Sequence, residues 1–465
     1  MSTAAASSPP SRSTAVDELV ARLGDGVVVT RPETIEAYRR DWTADASAGM
    51  PLAVVRARTA ADVQETLRWA SAHGIPVVPR GAGSGLSGGS LAVDGGVTLS
   101  LDRMNAVEID VACRVAVVEP GALNAEVKRA ASEHGLWYPP DPSSFEICSI
   151  GGNVATNAGG LCCVKYGVTT DYVLGMDVVL ADGTLVTLGG KRLKDVAGLS
   201  LLKLFVGSEG TLGVVTRAIL RLVPAQPERS TLVATFASVS DAARAVVGVC
   251  AEIRPALLEL MDTVSVNAVE DYRAMGLDRS AGALLLAQSD APGAAAALEI
   301  ATMEEVCRQA GTTECFVTDD ADEGEAFLTA RRAAFPAIER RGAILLEDVG
   351  VPVPVLPDLL AGIAEIATRH GLEIPVVAHA GDGNTHPIVV HDAASPASVA
   401  AAHEAFGEVM TLAIGLGGTI TGEHGVGRLK KAALPDQLGP DVMALTRRIK
   451  DALDPQGILN PGAIL

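Results

Sequence analysis

The chain has no cysteine pair at C-x2-C spacing, no apolar run approaching the roughly 18 residues of a membrane span, and no surplus of basic side chains. Its seven cysteines are odd in number and scattered, with Cys162 and Cys163 the one adjacent pair. Neither a disulfide framework nor a cysteine-ligated iron–sulfur cluster is therefore expected, and any electrons the chain handles must leave by another carrier. The opening MSTAAASSPPSRST lacks an apolar h-region, so neither a signal peptide nor a transmembrane helix is expected. A cytoplasmic location follows as the expectation, with peripheral association to a membrane as the alternative. Lys plus Arg number 37 against 56 Asp plus Glu, a formal charge of −19, which sets nucleic acid aside as a partner. At 48% hydrophobic and 20% charged residues the chain has material for a packed core, so general disorder is excluded.

What the chain does have is glycine, 48 in 465 residues against a usual share of about 7%, gathered into a few runs. Behind a Ser/Ala/Pro-rich tail at 1–15, read as disordered, helices are expected over Thr14–Leu23 and Arg31–Tyr38. From Pro51 the strand PLAVVRA, the helix TAADVQETLRWASAHG closed by Gly74, and the strand IPVVPRG form a β-α-β unit. Short β-branched runs follow, with LNAEVKRAASEHG between them read as a helix ending at Gly135. Near Pro224 the composition shifts to alternating strands and Ala-rich helices, read as a sheet with helices on one face. Domain limits are placed at 16–224, 225–413 and 414–465, the last segment returning to the first domain.

Three glycine runs offer backbone to a polar cofactor. PRGAGSGLSGG, Pro79 to Gly89, follows a strand and presents consecutive N–H groups with no Cβ in the way, a means of holding a pyrophosphate. Gly83, Gly85 and Gly88 satisfy G-x-G-x-x-G, and Asp102 lies near the offset of a ribose-binding acid. The nicotinamide-dinucleotide reading fails nevertheless, because SLAVDGGVTLSL reads as a strand where that fingerprint must open a helix. The other runs are ICSIGGNVATNAGG and VGSEGTLGVV. A Walker-type phosphate loop is not supported, since Gly422 to Gly427 is followed by Arg428 and not Lys. The strongest chemical constellation is His379-A-G-D-G-N-T-His386 followed by Gly422-Glu423-His424-Gly425. Two imidazoles and a carboxylate supply three ligands to a divalent cation and leave positions open, with His424 beside them free to exchange a proton. The Arg331-Arg332 pair offers a guanidinium to clamp a carboxylate, or a solvated helix face.

Together PRGAGSGLSGG, PPDPSS, SIGGNVATNAGG, GSEGTLGVVT, HAGDGNTHP, GEHGVG and DPQGILNPG resemble the FAD-linked oxidase family with the vanillyl-alcohol-oxidase type of flavin fold. Within it the likeness is nearest to the D-2-hydroxyacid dehydrogenases, among them D-lactate dehydrogenases, the flavin subunit of glycolate oxidase and D-2-hydroxyglutarate dehydrogenase. The resemblance implies an α+β fold. It comprises an FAD-binding domain of two subdomains, an inserted α+β cap domain and a C-terminal segment completing the flavin site. It assigns Pro79, Arg80, Gly81, Ala82, Gly83, Ser84, Gly85, Ser87, Gly88 and Gly89 to the pyrophosphate. Pro142, Ser143, Ser144, Gly151, Gly152, Asn157 and Gly160 go around the flavin, Glu209, Gly210, Gly213 and Val214 to the adenosine-side turn, and Asn460 to a tail contact. The first loop has no His for a covalent link, so the FAD is expected to be dissociable. His379, His386 and Glu423 match the family's ligands for a divalent metal, zinc being expected with Mn2+ or Fe2+ as alternatives. His424 matches the base, and Arg331 or Arg332 the substrate-carboxylate arginine.

The activity so implied is oxidation of a small D-2-hydroxy acid, D-lactate or glycolate-like, to the 2-keto acid, with His424 taking the hydroxyl proton and hydride passing to flavin N5. Ile388 stands where the hydroxyglutarate enzymes have a polar Asn, which favours a short or apolar substrate side chain. The alternatives are a D-2-hydroxyglutarate dehydrogenase, another FAD-linked alcohol oxidase, or a flavin subunit active only within a larger electron-transfer complex. Reduced flavin would be reoxidised by a quinone, cytochrome, electron-transfer flavoprotein, partner subunit or oxygen, and a homodimer is expected.

Overall fold

The computed structural model describes residues 12–465 apart from 25, 44 and 46. Three sheets carry the architecture. The first holds Ala53–Arg56, Val97–Ser100 and Val77–Arg80 in parallel, with Val28–Val29 antiparallel at one edge. Its strands are Val-rich and mostly buried, as parallel strands covered on both faces must be. The helix Ala60–His73 packs on it through Val63, Leu67, Trp69 and Ala70. Thr59 and Asp62 form a capping box at its start, and Gly74, at φ +61°, ends it in the left-handed conformation. The first helix begins at Arg12, so the expected tail boundary at residue 15 is too late; residues 1–11 lie outside those described. The physical reason is burial: Ala15 and Leu19 enter the core, and Trp69 Nε1 donates to the Ala15 carbonyl at 2.9 Å.

The second sheet is antiparallel, in the order Val107–Asp110, Val115–Val118, Val214–Arg221, Val173–Val179, Leu185–Gly189. The helix expected to reach Gly135 spans Asn124–Ser132, and Gly135, at φ +67°, turns the chain three residues later. The run ICSIGGNVATNAGG is not all loop. Ser149 caps a helix, Ile150–Thr156, by accepting from Gly152 N, and Asn157 closes it at φ +56°.

The third sheet has eight strands and is antiparallel; its main path runs Thr312–Thr318, Ser230–Phe236, Ala283–Ser289, Leu257–Asp262, Val376–His379, Asn384–His391, Ala343–Leu346. Helices cover both faces of it, not one. Helices Val239–Glu252, Ala294–Gln309, Leu356–His370 and Pro396–Gly415 pack on one side. On the other are Thr263–Tyr272, Ala321–Arg332 and Ala334–Glu339. The unbroken burial of Ser230–Phe236 and Ala283–Ser289 requires this. After the helix Leu434–Leu453 the chain re-enters the first domain, where Leu459 pairs with Val77 and Asn460 N donates to Val77 O. Asp102 is structural: it pairs with Arg56 and accepts from Tyr38 Oη at 2.9 Å, which removes it as a ribose ligand. All seven cysteines are free, and among the described residues no helix is long and apolar enough to cross a membrane.

Asp262 joins a helix cap to the strand that carries His379. Its Oδ1 accepts from Ser265 N at 2.8 Å and its Oδ2 from Val376 N at 2.9 Å. Burial raises its pKa from 3.8 to about 6. The folded state thus holds this proton more tightly than the unfolded chain, and the group's contribution is full below pH 4 and is lost as pH rises through about 6. D262A should lower urea stability by about 1–2 kcal/mol through loss of both bonds. In D262N, which keeps an acceptor, the fall in the urea midpoint between pH about 4 and about 6 should be shallower than in wild type; an equal fall would remove Asp262 as its source.

Candidate active site

A cavity of about 380 Å³ runs between the two small sheets and ends against the large one. That lies within the roughly 300–1,000 Å³ of ordinary ligand pockets, and its lining extends from the first glycine run to the far sheet. Its walls include Pro79 to Gly85, Ser87, Gly89, Pro142 to Ser144, Gly151, Gly152, Glu209, Gly210, Gly213 and Val214. Four residues expected at the cofactor do not line it. Gly88 turns away at φ +75°, Asn157 caps its helix and accepts from Thr170 N at 2.8 Å, and Gly160 lines a different cavity. Asn460 holds walls together instead, donating from Nδ2 to Gly89 O at 2.8 Å and Glu209 O at 2.7 Å. Ser149, Asn153 and Thr156 also line the cavity and were missed because the helix inside the second glycine run was not recognised; Ser208, in the third run, lines it too.

Gly83 is required by close approach. Its φ is +75°, and a Cβ there would lie 2.0 Å from the Arg80 guanidinium, which is packed beneath the loop and over the Tyr38 ring. Arg80 Nη1 is buried without a partner, aimed where an anionic group would satisfy it. Glu209 is occupied elsewhere, its carboxylate accepting from Val426 N at 2.7 Å and Gly427 N at 2.9 Å, and burial pushes its pKa up to about 7.

At the far end the strand Val376–His379, the strand Asn384–His391 and the loop 421–427 bring together His379, His386, Glu423 and His424. His379 Nε2 lies 3.0 Å and His386 Nε2 3.3 Å from Glu423 Oε1. Ligand bonds of about 2.0–2.2 Å at a tetrahedral centre set donor atoms about 3.3 Å apart, so each imidazole nitrogen stands from Glu423 Oε1 at the spacing of two ligands of one cation. A second grouping by proximity, Asp348, His386, Glu423 and His424, has its ligand atoms within 4.8 Å of one another. Asp348 is committed, however: Oδ2 accepts from the amides of Gly422, Glu423 and His424 and from Thr421 Oγ1, and Oδ1 from Asn384 Nδ2. His379 has the better claim, since its Nδ1 is held by Glu259 at 2.8 Å, the carboxylate–histidine arrangement that orients a metal ligand. Burial opposes a charge on His379, but Glu259 and Glu423 outweigh it and hold its pKa well above the usual value.

His424 stacks on His386, ring centroids 4.9 Å apart and planes 10° from parallel. Burial pushes His424 down to about 4, which leaves the imidazole neutral and able to accept a proton. Arg331 and Arg332 both reach the cavity from the end of the helix Ala321–Arg332. Arg331 is buried, its Nε 2.8 Å from Glu259 Oε2 and its Nη2 without a partner. Arg332 pairs with Glu325 at 2.6 Å and lies over the Phe145 ring. Glu259 therefore touches both His379 and Arg331, yet the sequence reading passed over it; a lone acid inside the apolar strand LLELMD was the available signal. Leu346, Val377 and Ile388 form an apolar wall beside these groups.

Comparison with known proteins agrees with this architecture. Residues 51–189 match the family model described as FAD binding domain, and residues 225–464 the model described as FAD linked oxidases, C-terminal domain. The chain is 40% identical over 445 residues to the glycolate oxidase subunit GlcD of Bacillus subtilis, covering 94% of this chain and 95% of that one. It is 34% identical over 436 residues to a D-lactate dehydrogenase of Archaeoglobus fulgidus, covering 92% and 96%. In fold it is similar to a substrate-bound p-cresol methylhydroxylase, with a TM-score of 0.81 at 19% identity over 97% of this chain and 96% of the other. A glycine-lined cavity between two small sheets, a helix-covered cap and matches spanning most of the chain give one answer: the protein belongs to the FAD-linked oxidase family and is an FAD-dependent oxidoreductase.

Proposed function

We propose that the protein oxidises a small D-2-hydroxy acid, of glycolate or D-lactate size, to the corresponding 2-keto acid. The observation that carries this reading is the convergence of His379, His386 and Glu423 beside His424 and a buried, partly unpaired Arg331 at the end of the flavin cavity. The names of the two relatives, a glycolate oxidase subunit and a D-lactate dehydrogenase, support the substrate class and the D configuration.

The cavity loops Pro79 to Gly89, Pro142 to Ser144 and Gly151 to Gly152 would hold FAD, with the Arg80 guanidinium toward its pyrophosphate; Asn460 braces these walls from outside. His379, His386 and Glu423 would hold a divalent cation, for which zinc suits the two imidazoles and one carboxylate. When bound, FAD supplies the two-electron acceptor and the cation supplies a Lewis acid for the hydroxyl and carboxylate oxygens. The side chains do the rest. Arg331 Nη2 donates to the substrate carboxylate, and Glu259 fixes that guanidinium by its Nε. His424 accepts the hydroxyl proton as the carbon-bound hydrogen leaves with its electron pair, so the α-carbon becomes a carbonyl carbon, an aldehyde from glycolate and a ketone from D-lactate. Leu346, Val377 and Ile388 present an apolar wall beside the proposed substrate position, which favours glycolate or D-lactate over 2-hydroxyglutarate. The relative from Bacillus subtilis is named a subunit, which supports reoxidation by a separate carrier.

Anaerobic mixing of the flavin-loaded protein with glycolate, D-lactate, L-lactate or D-2-hydroxyglutarate tests the reading. Glycolate or D-lactate should bleach the visible flavin band fastest, and a chelator should slow the bleaching; absence of bleaching by every acid in metal-replete protein would refute it. H424N should lower kcat by about 10²–10⁴-fold while flavin content stays at the wild-type level. E259Q should weaken cation binding by about 10–100-fold, read by metal titration, and raise KM through Arg331. G83V should lower retained FAD by about tenfold or more, measured as the ratio of visible to ultraviolet absorbance after gel filtration.

A further inference from the structure

Glu423 stands between two cavities. One is the flavin cavity, which it lines together with His386 and His424. The other encloses about 460 Å³ and is lined by His379 and Glu423 but by none of the flavin loops Pro79 to Gly89. Their charges are opposed. Arg80, Arg331 and Arg332 line the flavin cavity, as suits phosphates and a carboxylate. Among the described residues lining the second cavity there is no Lys or Arg, while Asp382, whose pKa burial pushes up to about 7, and Glu423 supply two carboxyl groups. Gly159 keeps the space beside Glu423 open: a Cβ there would lie 2.7 Å from Glu423 Oε2 and 3.1 Å from Cys163 Sγ.

With FAD and substrate seated, the flavin cavity is a poor route for a hydrated cation, being both filled and lined with guanidinium groups. The second cavity offers the reverse, an acidic approach that ends on two of the three proposed ligands. We propose that this cavity is the passage by which the divalent cation reaches and leaves His379 and Glu423, so that the metal exchanges while the flavin remains in place. Asp382 acts at the entrance by attracting the cation, and Val168, on the wall, sets the width. The inference rests on the cation reading of the preceding section.

The test is zinc exchange in flavin-loaded protein, with free FAD in excess, followed by a coloured chelator for release and by loss of free zinc for uptake. D382N retains the acceptor that Asp382 Oδ1 offers to Asn384 N and removes only the charge. It should slow zinc uptake by about tenfold. V168F, which narrows the wall without touching a ligand, should slow both uptake and release, and the retained flavin band reports that each variant is folded. Wild-type release should be unaffected by added FAD. Exchange at wild-type rates in both variants, or release that falls as free FAD is raised, would overturn the passage while a stoichiometrically bound zinc left the cation reading intact. Wild-type protein that takes up no zinc would overturn both.

Discussion

The site depends on one buried carboxylate. Asp348 is fully removed from solvent, and its Oδ2 gathers the amides of Gly422, Glu423 and His424 at 2.8–2.9 Å, with the Thr421 hydroxyl at 2.7 Å. A charge without water must be compensated by donors, and here three successive backbone N–H groups provide it. The positions of Glu423 and His424 are thereby set by their own main chain. The neighbouring Glu347 pairs with Lys430 Nζ at 2.7 Å, and the same ammonium donates to the Asp348 and Ile420 carbonyls. Two consecutive acids of the cap thus hold a loop from the far end of the sequence, and Glu209 of the flavin domain holds the same loop from the other side through Val426 and Gly427.

A second carboxylate, Glu259, plays a complementary part. It contacts the imidazole of His379 and the guanidinium of Arg331, one from a strand of the large sheet and one from a helix on its face. The group that would bind the cation and the group that would bind the substrate carboxylate therefore share a single buried anchor. Motion of either is transmitted to the other through a hydrogen bond on one side and a buried ion pair on the other, which suits a site where two charged partners must be aligned to within a fraction of an ångström.

How much of this could be read in the sequence follows from the kind of residue involved. The glycine runs from Pro79 and from Ile147 were legible because backbone packed close to other groups excludes Cβ atoms, and the His379–His386 pair because two imidazoles on paired strands fall within a short segment. Glu259, in an apolar strand, and Asp348, in the link between two strands, were not, because such an acid looks like any other until its partners, 120 and 76 residues away, are folded against it. The choice between Arg331 and Arg332 hung on one residue of helix phase, which only the packing of that helix on the sheet fixes. Helices on both faces of the large sheet were missed for a related reason: the burial pattern of its strands depends on neighbours distant in the chain.

The return of the chain to its first domain sets an order of events. Leu459 joins Val77 as the last partner of a sheet begun near residue 28, and Asn460 then ties Gly89 to Glu209 across the flavin cavity. A nascent polypeptide on the ribosome lacks these bonds until residues 459 and 460 have emerged. The walls of the cavity are therefore braced only after the whole cap has been synthesised, however early the glycine loops themselves are made.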